Sequence, residues 1–154
     1  MTQPHIKELQ DKLSAAPDNR DLLVELGIAY AENQQYKEAL ATFEKALKLY
    51  PEDAVIHYDL GFLYKLMALR DLEKLELWED ATDDELLVEN AMYYFRKALE
   101  LNPDYVSAMN NLAALHAIRE EFDDAIRLWR QSLEIDEDQP DVKTDLQAVI
   151  DRLE

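Results

Sequence analysis

The chain has 154 residues, with 34 acidic against 16 basic side chains, a net charge of −18 and no cysteine. The length suits a single domain, and the charge argues against nucleic acid and anionic membrane surfaces as partners. The lack of cysteine removes disulfides and thiolate metal sites and fits a reducing, cytoplasmic setting.

Two glycines and five prolines amid abundant Ala, Leu, Glu and Lys point to an all-α chain. The opening stretch MTQPHIKELQ lacks the apolar core of a signal peptide. No window approaches the ~20 apolar residues that cross a bilayer, so membrane insertion is not expected. Helices are predicted over 4–15, 20–33, 36–49, 54–79, 83–101, 105–118, 121–135 and 140–153.

The first helix carries one apolar stripe of Ile6, Leu9 and Leu13. The second holds Gly27 in its interior, where glycine costs about 1 kcal/mol relative to alanine. The third ends before Pro51, and Asp53 then reads as the N-cap of the fourth. The fourth holds the other glycine, Gly61, 34 residues after the first. Thr82 with Glu85 reads as a capping box that opens the fifth helix, and Asp104 after Pro103 as the N-cap of the sixth. The last helix has a stripe of Val142, Leu146, Val149 and Leu153.

The glycine interval marks an internal repeat. Leu26, Gly27 and Tyr30 align with Leu60, Gly61 and Tyr64, and then with Leu112, Ala113 and His116. Downstream, Ala39, Phe43, Ala46 and Pro51 align with Ala91, Phe95, Ala98 and Pro103. The third copy continues as Ala125, Trp129, Ser132 and Glu137. This pattern resembles the tetratricopeptide repeat, a helix–turn–helix unit of about 34 residues.

The resemblance implies an all-α, right-handed superhelical solenoid of three helix pairs. The copies are 20–53, 54–105 and 106–139, flanked by capping helices in 1–19 and 140–154. The third copy departs from the pattern where Ala, His and Glu replace Gly, Tyr and Pro. The glycines are expected where the two helices of a pair press together, with Ala39 and Ala91 as their small partners. The second copy carries 18 extra residues, near 69–86, that would lengthen its hairpin by roughly 13 Å. Leu66, Leu69, Leu72 and Leu75 would pack there on Leu86, Leu87 and Val88. The insertion has a net charge of −6. Leu75, Leu77 and Trp78 near its tip form a candidate second patch. Trp78 either closes the hairpin's own small core or offers a hot spot.

In such a solenoid the first helix of each pair lines an inner groove. Its predicted floor is Val24 and Ile28, then Tyr58 and Phe62, then Asn110 and Ala114, with Lys65 as its cation and Glu25, Asp59 and Asn111 alongside. Burial of Tyr58 and Phe62 by neighbouring helices is the competing expectation. An apolar, partly aromatic floor beside acids suits a peptide or helix with apolar anchors and basic flanks. Asn110 and Asn111 offer hydrogen bonds to its backbone.

Some relatives clamp acidic chaperone C-termini through Lys, Asn and Arg. This chain has Val24, Ile28, Asp59, Ser107 and Asn111 at the corresponding points, so that function is not expected.

Catalysis is not expected either. The chain has no glycine-rich phosphate loop, His57 and His116 occupy packing slots of the repeat, and no His pair with a carboxylate has zinc-site spacing. No cofactor and no metal are expected. The leading functional expectation is a non-catalytic protein-interaction module. Alternatives are a dedicated chaperone or assembly factor, similar in size and charge to small secretion chaperones, and a regulatory subunit binding a small molecule. Homodimerisation through the hairpin or a solenoid end stays open.

Overall fold

The computed structural model describes residues 3–74 and 81–154, and their side chains outside 71–84. These residues form eight helices: α1 (Gln3–Ala15), α2 (Arg20–Glu32), α3 (Tyr36–Leu49), α4 (Ala54–Lys74), α5 (Ala81–Leu101), α6 (Val106–Ile118), α7 (Phe122–Ile135) and α8 (Pro140–Leu153). Successive helices pack against one another, and α2 also meets α4, which gives a helical solenoid.

Helix starts follow local chemistry. Asn19 caps α2 by accepting the Leu22 amide at 3.0 Å. The Asp53 carboxylate caps α4, accepting the amides of Val55 at 2.9 Å and Ile56 at 3.2 Å. The same carboxylate is held by Arg20, with Nε at 2.8 Å and a terminal nitrogen at 3.1 Å, so the starts of α2 and α4 are tied together.

Two expected caps are corrected. Residue Tyr105 stands in the N-cap position of α6 without a side-chain bond, and the Asp104 amide instead donates to Asn102 Oδ1. Helix α5 already includes Ala81, so Thr82 lies inside the helix rather than at its cap.

The turns between α2 and α3 and between α6 and α7 match. Gln34 and Glu120 both adopt positive φ, 60° and 62°. Behind them the amides of Gln35 and Glu121 reach back to the carbonyls of Tyr30 and His116, each at 2.9 Å. These are the paired bonds of a Schellman-type helix end, built here without glycine.

The glycines do mark close helix approach, with a different partner from the one expected. A Cβ on Gly27 would lie 2.6 Å from Phe43 Cε1, so an aromatic ring rather than Ala39 covers the α2 backbone. At Gly61 the ring of Phe95 plays this part, with the Ala91 carbonyl 3.1 Å away. Ala39 and Ala91 are fully buried beside these rings.

The core divides into two clusters. One joins Ile6, Leu9, Leu23, Leu26, Phe43, Ile56 and Leu60, from α1 to α4. The other joins Phe95, Met109, Leu112, Trp129, Val142 and Val149, from α5 to α8. Tyr64 packs on both. The outer helices thus close the two ends with most of their predicted stripes, although Leu153 is exposed. Leu69 and Leu86, expected to pack within the hairpin, are exposed as well.

Candidate functional site

Helix α4 meets α2 on one side and is linked to α6 on the other by polar side-chain contacts. Lys65 of α4 donates to Asn111 Oδ1 of α6 at 2.7 Å. Asn111 Nδ2 in turn donates to the Ser107 carbonyl at 2.8 Å and reaches the Tyr58 hydroxyl at 3.4 Å. Burial lowers the Lys65 pKa, so its proton is held less tightly than that of an exposed lysine. Asn110 donates to Gln139 Oε1 at 2.6 Å, where α8 begins, while its own Oδ1 is buried without a partner.

Between α2 and α4 lies an apolar cleft of about 120 Å³. Ile28 and Ala31 line it from one side, Phe62, Leu63 and Leu66 from the other, and Phe43 closes it from α3. Phe62 is 39% exposed at its edge. Asp59 also lines the cleft, and Glu32 stands at its rim. Asp59 Oδ2 is buried and accepts no hydrogen bond from the protein. Burial pushes the Asp59 pKa up to about 7, with Arg20 pulling it down and Asp53 adding to the rise.

Of the residues expected on this face, Ile28 and Phe62 come together at the cleft. Tyr58 is half-buried: its ring stacks on Phe62 at 6.2 Å and packs at 4.9 Å from that of Tyr105. It therefore belongs partly to the face and partly to the core. Val24 is the correction: at 8% exposure it belongs to the first core cluster rather than the open face. Ala114 faces a separate shallow cleft of about 260 Å³ between α6 and α8, with Ala117, Trp129 and Val149. Leu75, Leu77 and Trp78 lie outside the described residues. Sequence reading placed Asp59 only beside the groove. Its missing partner follows from the spatial arrangement of Arg20 and Asp53, which spacing along the chain does not reveal.

His57 and His116 are buried, as packing slots require. His57 Nε2 lies 2.9 Å from the Pro51 carbonyl, and His116 Nδ1 lies 2.5 Å from Glu121 Oε2. Among the described residues no group of His, Asp and Glu is arranged to hold a metal ion, and no helix is long and apolar enough to cross a membrane.

A stack of helix pairs with one open, partly apolar face defines a class of repeat scaffold. Family models for the tetratricopeptide repeat match residues 27–67 and 94–127. The chain carries tetratricopeptide repeats over both stretches, and such repeats are interaction scaffolds rather than catalytic units.

It is 28% identical over 120 residues to interferon-induced protein with tetratricopeptide repeats 2 of Cricetulus griseus, covering 77% of this chain and 25% of that one. The human protein of that name matches at 28% over 127 residues, so the chain spans about a quarter of the length of these relatives. Among solved structures, MamA superposes with a TM-score of 0.75 at 20% identity, over 95% of this chain and 75% of that one. The first repeat domain of Spaghetti (RPAP3), bound to the HSP90 peptide SRMEEVD, superposes with a TM-score of 0.70 at 19% identity, over 87% of this chain and 92% of that one.

Proposed function

We propose that the chain holds a peptide or helix of a partner protein across the face formed by α2, α4 and α6. Ile28 and Phe62 serve as its apolar contacts, Tyr58 lies beside them, Ala114 adds the separate cleft between α6 and α8, and Lys65, Asn110 and Asn111 form its polar part. The observation that carries this reading is the exposed Phe62 at the edge of an apolar cleft, on a helix whose Ile56, Leu60 and Leu63 are buried. An aromatic ring beside a cleft is the kind of side chain on which binding energy concentrates.

The net charge of −18 favours a partner with basic flanks and disfavours nucleic acid and anionic membranes. The peptide held by the Spaghetti domain ends in acidic residues. Here Asp59 and Ile28 occupy two of the points where a carboxylate clamp would place its polar side chains, so a peptide of opposite charge fits better. A cytoplasmic setting is part of the same reading.

Capture from a lysate by the full chain, beside Phe62→Ala and Trp78→Ala variants, tests it. Partners lost with Phe62→Ala and kept with Trp78→Ala support binding on this face. One stoichiometric, aggregation-prone client would indicate a chaperone, and several partners sharing a motif an adaptor. Retention by Phe62→Ala together with loss by Trp78→Ala would move the site to the hairpin and overturn the reading.

A further inference from the structure

The α2–α4 cleft has one feature that an ordinary aliphatic pocket lacks. Its walls are Ile28, Ala31, Phe62, Leu63 and Leu66, yet Asp59 lines it too, and Asp59 Oδ2 is buried without a hydrogen bond. The nearby guanidinium is committed elsewhere. Arg20 spends Nε and one terminal nitrogen on Asp53 and the other on Asp21 at 2.9 Å.

We infer that this cleft takes the side chain of a lysine or arginine from the partner protein, its aliphatic stem lying between Ile28 and Phe62 and its cationic head pairing with the Asp59 carboxylate. This deepens the groove-binding reading and rests on it.

The chemistry discriminates among occupants. A purely aliphatic side chain would cover the walls but leave the Asp59 carboxyl as it is, without a partner, whereas a cation gains by pairing with it. An acidic side chain would bring a second negative charge against the first. Lysine and arginine bury their methylene stems on apolar surface while directing the charge to a polar end. In a cleft of about 120 Å³ the stem of one such side chain fills the space. The overall charge of −18 draws a basic segment toward this surface.

Asp59 interacts with Arg20 of α2, with Asp53 and Tyr58 on its own side and with Tyr105 ahead of α6, and it shares the cleft with Ile28, Ala31 and Glu32 of α2. Burial, with Asp59 next, pushes the Tyr105 hydroxyl up to about 12, so Tyr105 stays neutral near pH 7. The Asp59 carboxyl, raised to about 7, changes charge in that range. A cation bound to it draws the pKa back down, so binding strengthens as pH rises from 6 to 8.

The test uses the full chain with methyl labelling and two blocked probes, acetyl-Ala-Arg-Ala-amide and acetyl-Ala-norleucine-Ala-amide. The arginine probe should give saturable shifts at the methyls of Ile28 and Leu63, roughly tenfold tighter than the norleucine probe. Asp59→Asn should remove that difference while keeping the native spectrum. Ala31→Leu, which fills the cleft and leaves Asp59 intact, should abolish the saturable shifts.

Equal affinity of the two probes for the unaltered protein, or arginine shifts scattered over the acidic surface and absent at Ile28, would overturn the proposal. So would shifts at the cleft that grow with protein concentration without any probe, which would place a second copy there. Equal probe affinities with partner capture still dependent on Phe62 would sink the cation alone. Arginine binding with capture independent of Phe62 would sink the groove reading alone.

Discussion

Gly27 and Phe43 are in such close contact that a methyl group on the glycine would stand 2.6 Å from a ring carbon. Phe43 is 1% exposed, so a shift of its ring gives up packed contacts. Overpacking of this kind costs about 1–3 kcal/mol, against about 1 kcal/mol of helix propensity regained by alanine. Gly27→Ala is therefore expected to destabilise by up to ~2 kcal/mol, and Gly27→Leu to lower the melting temperature by many degrees. Urea unfolding of Gly27→Ala, Phe43→Leu and the double variant checks the cause: the pair should lose less than the sum of the singles.

Gln34 and Glu120 hold positive φ at matching helix ends, a conformation that costs an ordinary L-residue about 1–2 kcal/mol. Glycine adopts it freely. Gln34→Gly and Glu120→Gly should each raise the unfolding free energy measured in urea by about 0.5–1 kcal/mol after the added freedom of the unfolded chain is counted. The two effects should add, because the turns lie in different repeats.

Asp53 and Asp59 predict opposite responses to pH. Burial pushes the Asp53 carboxyl up, but Arg20 and the α4 amides together outweigh that and hold it below its ordinary 3.8. Its contribution to stability is present above that value and is lost as pH falls through the lower folded value. Asp53→Ala should therefore cost more at pH 7 than at pH 3, as denaturant curves at the two pH values would show.

The Asp59 carboxyl is raised to about 7, so its contribution is present below 3.8 and lost as pH rises toward 7. Asp59→Asn should match the unaltered protein near pH 4 and exceed it in stability at pH 8. Loss of arginine-probe binding in that same, more stable variant would show that Asp59 is kept for recognition at the expense of stability.

Legibility of the fold in the sequence depended on which interactions are local. Helix extents followed from periodicity and prolines, and Asp53 was legible as a cap because a cap bonds amides two and three residues away. The glycine spacing located the close approaches between helices. It did not show that Phe43 and Phe95 fill them, because the choice between ring and alanine is made by side-chain direction across two helices. The turns at Gln34 and Glu120 carried no glycine to mark them. Val24 reads as a groove residue by helical angle, yet it is buried because packing around α2 covers more of its circumference than the repeat pattern implies. The isolation of Asp59 depends on Arg20 being engaged by Asp53 and Asp21, a matter of three-dimensional competition.

The most direct measurement is the affinity of a captured partner segment, by calorimetry, for Ile28→Glu, Phe62→Glu and Leu101→Glu variants. Ile28 lines the cleft and Phe62 lies exposed at its edge, whereas Leu101 is exposed at the end of α5. The first two substitutions should each weaken binding roughly tenfold or more, with the fold intact by circular dichroism, and the third should leave it unchanged. Unaltered affinity in Ile28→Glu and Phe62→Glu would contradict binding on the α2–α4–α6 face.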